Sequence, residues 1–455
     1  MKTLHSSLII ALGLLLCAGS LQGQTIKNRD RAIESAVNNI SAGNMKGLIQ
    51  DLVGFHNRNN LSSTTDPVRG IGAAANYLYG KVNAYIPASD GRLSVEKVFY
   101  TVGGAGTRLG REVTVCNVVA TIRGSNTDDD RIIALLAHYD NRNGEGSDSI
   151  RYAPGANDDG SGVACLMEIT RLLSRMDLPV TLKIMFLSGE EHGLHGAQYM
   201  AEKARSENWN LIAVLNNDMI GNGNASETNT HNNTMIRVFS ENIPATETDG
   251  MKRIRIYNSA ENDSPSRQLA RYIKETGERY VDNITVKLIY RNDRFGRGGD
   301  HSPFNRKGYA AVRICEMHEN YDRTHQYVRE EDGIKYGDEI EGIDFEYVRK
   351  NTGVNLSSVA NLALAPSVPE NVRQEVSGLT NYSTLRWDAP GQGKRPAAYY
   401  VLIRETDQSH WQTKVRVEGT ELRLPYSKDN YFYAVQSVDA EGHESLPVFA
   451  TAASN

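Results

Sequence analysis

Apolar residues recur at helical spacing near the start of the chain, at Ile33, Val37 and Ile40 and again at Leu48, Leu52 and Phe55. This periodicity predicts lead-in helices over residues 27–60. Another helix is expected over 73–85, followed by strand-like runs between 95 and 122, among them Thr114-Val115-Cys116-Asn117-Val118-Val119. The pattern then alternates: a buried strand at 131–137, a helix at 162–176, a strand at 180–187, a helix at 193–205 and a strand at 211–216. A later helix at 264–276 and strands near 285–290 and 310–315 extend the series. Strands alternating with helices predict an α/β fold with a mostly parallel central sheet flanked by crossover helices.

Around residues 363–369 the composition turns to Ala, Pro and Ser, and helical periodicity stops. The C-terminal stretch has short strand-like runs with turn residues at regular intervals, so a boundary is expected between 24–365 and an all-β unit at 366–455. Trp387 in Leu385-Arg386-Trp387, the run from Tyr399 to Ile403, and Tyr431-Phe432-Tyr433-Ala434-Val435 through Gly442 resemble a fibronectin type III domain. The resemblance implies an immunoglobulin-like sandwich in which Trp387 fills the core and Tyr431 hydrogen-bonds across a corner.

A chain of 455 residues exceeds the size at which one core usually stops growing, and 40% hydrophobic with 23% charged residues is ordinary for a globular protein. The formal net charge is -5 and the Lys and Arg residues are scattered, so nucleic acid is not an expected partner. Met1-Lys2, an apolar run from residue 8 to 18 and small or polar residues through Gln24 read as a signal peptide over 1–23, implying export to a periplasmic or extracellular location. No segment reaches the roughly 18 to 20 apolar residues of a membrane span. Leu16 is bulky where a lipid-modification site usually has a small residue, which argues against a lipoprotein anchor at Cys17. Cys116, Cys165 and Cys315 lie in apolar segments and are odd in number, as buried free thiols would be.

Three central strands run into acidic or imidazole groups. Leu135-Leu136-Ala137 leads to His138 and Asp140, residues 184–187 lead to Glu190-Glu191, and 213–215 lead to Asp218. Groups beyond the carboxyl ends of parallel strands converge although distant in sequence. Pro154-Gly155-Ala156-Asn157-Asp158-Asp159-Gly160-Ser161-Gly162 is a tight glycine-bounded turn opening a helix, and Gly298-Gly299-Asp300-His301-Ser302-Pro303-Phe304 precedes a strand. His138, Asp158, Glu191, Asp218 and His301 thus mix imidazole and carboxylate, a donor set suited to zinc and numerous enough for a metal pair.

With these motifs in this order, the chain resembles the M28 family of co-catalytic zinc peptidases over roughly residues 45–360. The family resemblance also covers Ser188-Gly189-Glu190-Glu191-His192-Gly193-Leu194 and Asn217-Asp218-Met219-Ile220-Gly221. It implies two Zn2+ ions bridged by Asp158, with His138 and Asp218 on one and Glu191 and His301 on the other. It further implies that Glu190 is the general base, that Asp140 orients the His138 imidazole and that Asp159 holds the turn. The implied substrates are peptides or proteins, with release of N-terminal residues as the first choice.

Other readings stay open. A glutaminyl cyclase uses a related scaffold with one zinc, a receptor-like member would lack ligands, and carboxypeptidase or dipeptidase action fits the same fold. Glu191 and His195 are four apart, but the His-Glu-x-x-His order is absent, so His192 and His195 read as packed or surface residues. His318 and His325, in the loop downstream, are lesser candidates for lining the site. Arg291, Arg294 and Arg297 either hold a substrate carboxylate or belong to a solvated loop, the latter being preferred. Gly104-Ala105-Gly106 fits a hairpin better than a dinucleotide loop, and no G-x-S-x-G elbow exists.

Overall fold

Two capped helices open the described part of the chain, residues 29–452 of the computed structural model. The expected export segment and Cys17 lie outside it. Asp30 accepts from the backbone of Ala32 and Ile33 to start α1 (Arg31–Asn38), and the Ser41 hydroxyl starts α2 (Ala42–Gly54). Both helices, with α3 (Gly70–Tyr85), bury their apolar faces in the main core.

β1 (Leu93–Gly103) and β2 (Glu112–Ile122) then form a long antiparallel hairpin. β3 (Arg131–His138), α4 (Gly160–Leu173), β4 (Thr181–Leu187), α5 (His195–Ser206) and β5 (Asn210–Asn217) come after it in alternation. Next come β6 (Met235–Ser240), α6 (Asp249–Tyr257), α7 (Pro265–Tyr280), β7 (Thr285–Ile289), α8 (His301–Arg306) and β8 (Ala311–Glu316). A two-stranded ribbon, β9 (Arg329–Glu331) with β10 (Ile334–Tyr336), leads to the long helix α9 (Phe345–Leu364).

The large sheet has the order β1-β2-β4-β3-β5-β8-β6-β7. Its centre, β4-β3-β5-β8, and its edge pair β6-β7 are parallel; β2 meets β4, and β6 meets β8, antiparallel. The sheet is therefore mixed, where a mostly parallel one was expected. The hairpin is the reason at one edge, because a short loop can join only antiparallel neighbours. Along β3, Ile133, Leu135 and Ala137 face the core shared with α1, α2 and α4, while Ala134 and Leu136 face the layer under α5 and α8. Such a strand is apolar on both faces, as a helix-sandwiched strand must be. The chain leaves β3 for β4 on one side and returns to β5 on the other, so the carboxyl end of β3 is the crevice where side chains from three strands meet.

The sequence pattern did not announce α9. It is buried almost all round, and several of its polar side chains donate hydrogen bonds inside the protein. Asn355 and Asn217 exchange amide hydrogen bonds of 2.8 and 3.0 Å, Asn351 Nδ2 donates to Ile220 O at 2.8 Å, and Asn361 Nδ2 donates to Tyr272 Oη at 2.6 Å.

Past α9 the chain forms two four-stranded sheets, β15-β12-β11-β18 and β14-β13-β16-β17. Their strands are β11 (Glu370–Gln374), β12 (Ser383–Asp388), β13 (Ala398–Glu405), β14 (Thr413–Val417), β15 (Glu421–Leu424), β16 (Tyr431–Val438), β17 (Val448–Phe449) and β18 (Thr451–Ala452). Trp387 and Leu385 of one sheet pack with Tyr399, Val401 and Tyr433 of the other. The corner hydroxyl differs from expectation: Tyr433 Oη, not Tyr431, donates to Ser383 Oγ at 3.0 Å. Buried ion pairs clamp these sheets onto α7. Arg404 and Arg271 share Asp263, at 2.5 and 2.8 Å, and Arg279 pairs with Glu444. Cys165 and Cys315 are buried, Cys116 is partly buried, and all three are free thiols.

Candidate active site

The turn between β3 and α4 carries Asp158, and several groups fix it. Gly155 has φ +52°, and a Cβ there would lie 2.5 Å from the Asn141 amide, so only glycine fits without strain. Asp159 accepts from Gly162 N at 3.0 Å as the α4 cap and from His138 N at 3.2 Å, tying the turn to the end of β3. Asp338, after β10, accepts from Asn157 N at 3.0 Å and Asp158 N at 2.7 Å. Arg58, fully buried, donates to Tyr139 O, Leu52 O, Pro154 O and Gly155 O.

On this frame Asp158 presents its two oxygens to two imidazoles. Oδ1 lies 3.3 Å from His138 Nε2, which is also 3.9 Å from Asp218 Oδ1. Oδ2 lies 3.0 Å from His325 Nε2, itself 2.9 Å from Glu191 Oε1. The result is two clusters, His138-Asp158-Asp218 and Asp158-Glu191-His325, joined through Asp158.

The fifth expected ligand, His301, stands apart from both clusters. It is fully buried at the start of α8, with Nε2 held 2.9 Å from Asn292 O and 4.0 Å from Asp293 Oδ2. That imidazole is turned toward the loop before α8, and His325 occupies the place it was expected to fill. Asp140 lies against the His138 imidazole, its Oδ1 3.7 Å from Nδ1, and has a second task besides. Its carboxylate accepts from Glu190 N at 3.3 Å and Glu191 N at 3.2 Å, while its backbone oxygen, at 3.0 Å, faces His138 Nδ1. It shapes the Glu190-Glu191 loop, and its carbonyl orients the imidazole. His192 is buried with Nε2 at 2.9 Å from Gly146 O, and neither it nor His195 joins a cluster.

Sequence reasoning passed over two arginines. Arg142 contacts Glu191 Oε2 at 2.9 Å and His325 Nδ1 at 2.7 Å. Arg313, fully buried in β8, lies 3.1 Å from Asp218 Oδ1 and 3.2 Å from Asp293. A usable signal existed for Arg313, since a charge inside the apolar run Ala311-Val312-Arg313-Ile314-Cys315 requires a buried counter-charge. His325, a lone histidine in a polar loop, was named only as a lesser candidate for lining the site, and nothing in its spacing marked it as a ligand.

The residues fit a metal cation. His138 Nε2 is buried without a hydrogen-bond partner while pointing at two carboxylates. Burial opposes a proton on His325, yet Glu191 and Asp158 outweigh it and push the imidazole up to about 10. Burial likewise opposes charging His138, and Asp158 and Glu190 overcome it. The carboxylates therefore call for positive charge, and the mixed N and O donors suit zinc. Glu190 lines the adjoining cavity, of about 480 Å³. Burial first, with Asp218 and Glu191 adding, raises its carboxyl well above the usual range.

A mixed α/β sheet with paired imidazole-carboxylate clusters at its central crevice has the donor set of a metal-binding enzyme site. The model of Peptidase family M28 matches residues 117–339, which include every member of both clusters. A probable zinc metalloprotease of Leptosphaeria maculans is 37% identical over 421 residues, covering 92% of this chain and 97% of that one. One from Pyrenophora tritici-repentis is 37% identical over 426 residues with the same coverage, 92% and 97%. Among solved structures, the Legionella pneumophila LapA aminopeptidase has a similar fold, with a TM-score of 0.50 at 20% identity over 73% of this chain and 74% of that one. The chain belongs to peptidase family M28 and is a zinc-dependent peptidase.

Proposed function

We propose that this protein is an exported two-zinc exopeptidase with Asp158 as the bridging ligand. His138 and Asp218 would complete the protein ligands of one zinc, and Glu191 and His325 those of the other. The observation that carries the reading is the sharing of Asp158, one oxygen toward each imidazole. Zinc held there would supply a Lewis acid that polarises the scissile carbonyl and acidifies water. Glu190, unengaged by any ion pair among the described residues, takes a proton from the attacking water and returns it to the leaving amine. Asp140 keeps Glu190 in place through its backbone N–H. A second metal cluster favours hydrolysis over single-zinc glutamine cyclisation.

Release of N-terminal residues is the first reading within hydrolysis. Carboxypeptidase or dipeptidase action is a second, favoured by the arginines that line the cavity. The export part of the proposal rests on residues 1–23. We also read the two C-terminal sheets as a fibronectin type III-like sandwich, supported by the core they share around Trp387.

The test is zinc content together with hydrolysis of free and N-blocked peptides, for the wild type and Glu190→Gln. The expected result is two zinc ions per chain in both proteins, with turnover in the variant reduced by about 10²- to 10⁴-fold. One zinc together with cyclisation of N-terminal glutamine would overturn the reading.

A further inference from the structure

Six arginines line the active-site cavity: Arg108, Arg142, Arg294, Arg297, Arg306 and Arg313. Three of them are neutralised by protein carboxylates. Arg142 pairs with Glu191 at 2.9 Å, Arg294 with Glu319 at 2.6 Å, and Arg313 with Asp218 at 3.1 Å. Arg108, Arg297 and Arg306 are exposed and form no ion pair among the described residues. They come from three separate elements, the β1–β2 hairpin loop, the loop before α8 and the end of α8. The carboxylates in the same lining are Asp158, Glu190, Glu191 and Asp218, all at the hydrolytic centre. Away from that centre the cavity carries uncompensated positive charge.

Hydrolysis of a neutral peptide gives these charges no task. A concave surface with charge of one sign concentrates ligands of the other sign, and an arginine fork matches the two oxygens of a carboxylate. One exposed arginine would contribute little, because solvent screens it. Three that line the same cavity from different elements can act on one ligand together. Arg297 and Arg306 also line a neighbouring cavity of about 490 Å³, which leaves room for the chain of a longer substrate to continue past them.

We propose that Arg108, Arg297 and Arg306 form a carboxylate-binding subsite selecting peptides with a negative charge close to the scissile bond. The charge comes from an acidic side chain or from a free C-terminal α-carboxylate. The proposal rests on the peptidase reading for its location but predicts binding as well as turnover.

Zinc-loaded full-length protein would be given two matched substrate sets: peptides beginning with Glu, Leu or Lys, and N-acylated dipeptides with a free or amidated C-terminus. In at least one set the carboxylate-bearing member is expected to have a kcat/KM about tenfold or more above its neutral partner. The responsive set identifies the source of the charge. Arg297→Ala with Arg306→Ala collapses that ratio toward one, mainly through KM, and Arg297→Glu moves preference toward Lys. A separate arm titrates glutarate calorimetrically into Glu190→Gln protein, with and without the arginine substitutions. Ratios near one in both sets, or ratios unmoved by the substitutions, overturn the subsite. If no peptide is cut, the peptidase reading falls and the calorimetric arm decides: glutarate binding weakened in the arginine variants supports the subsite, and binding that is absent or unchanged overturns it.

Discussion

Arg313 Nη2 lies 3.1 Å from Asp218 Oδ1, with the arginine side chain sealed from solvent and the aspartate 5% exposed. Burial disfavours the guanidinium charge, but Asp218 and Asp293 outweigh it. The same arginine donates through Nε to Asp218 O at 2.8 Å, so it fixes both backbone and side chain of a proposed ligand. Arg313→Met would strand two buried carboxylates. The expected loss is about 3 to 5 kcal/mol in denaturant unfolding. Adding Asp293→Asn should return part of it, so the double variant is less destabilised than the sum of the two single ones.

The two histidines that compete for the fifth ligand position separate cleanly by metal content. His325→Ala should retain one zinc tightly and lose the second by about 100-fold or more in affinity, beyond the effect of losing an outer hydrogen-bond partner. His301→Ala should keep both ions, because His301 contacts Asn292 O rather than either cluster. Dialysis against graded chelator followed by metal analysis reads the difference.

Gly155→Ala tests how rigidly Asp158 is held. The added Cβ would meet Asn141 at 2.5 Å and Asp158 O at 2.8 Å, at a backbone φ of +52°. Overpacking and the positive φ should together cost about 1 to 3 kcal/mol, with weaker zinc binding alongside. Gly91 also has positive φ, at +70°, but has nothing within 4 Å, so Gly91→Ala carries strain alone and should leave zinc binding intact.

Acid stability should depend on Glu444. Burial raises its carboxyl, but Lys414 and Arg279 prevail and hold it at about 2. The folded value lies below the unfolded one of about 4.3, so its contribution is fully present above that pH. It is lost as pH falls from about 4 through 2, on the order of 3 kcal/mol in all. Unfolding of Glu444→Gln followed between pH 5 and 2 should show a shallower slope than wild type.

The strands of the central crevice were legible because β3, β4 and β5 are apolar on both faces, and the glycine-bounded turn was legible because its chemistry is local. Helix α9 was not, since a helix buried all round has no apolar stripe, and its asparagines found partners such as Asn217 that sequence distance conceals. His138, Asp158, Glu191 and Asp218 lie just past strand ends or in that turn, so topology places them. His325 sits in a loop whose path depends on contacts made elsewhere, and His301 follows a glycine pair that looked like a site, yet its ring lies against Asn292 O. The sequence reading also passed over β6, which enters the sheet antiparallel to β8.

The buried sharing of Asp263 by Arg271 and Arg404 bears on where the protein can be cut. A chain ending at residue 365 reads as a minimal enzyme from composition alone. It would lose Arg404 from Asp263 and leave Arg279 without Glu444, uncovering on α7 a polar face built for a protein interior. The catalytic half and its β-rich tail are therefore expected to melt as one cooperative unit, and calorimetry of the whole chain should show a single transition.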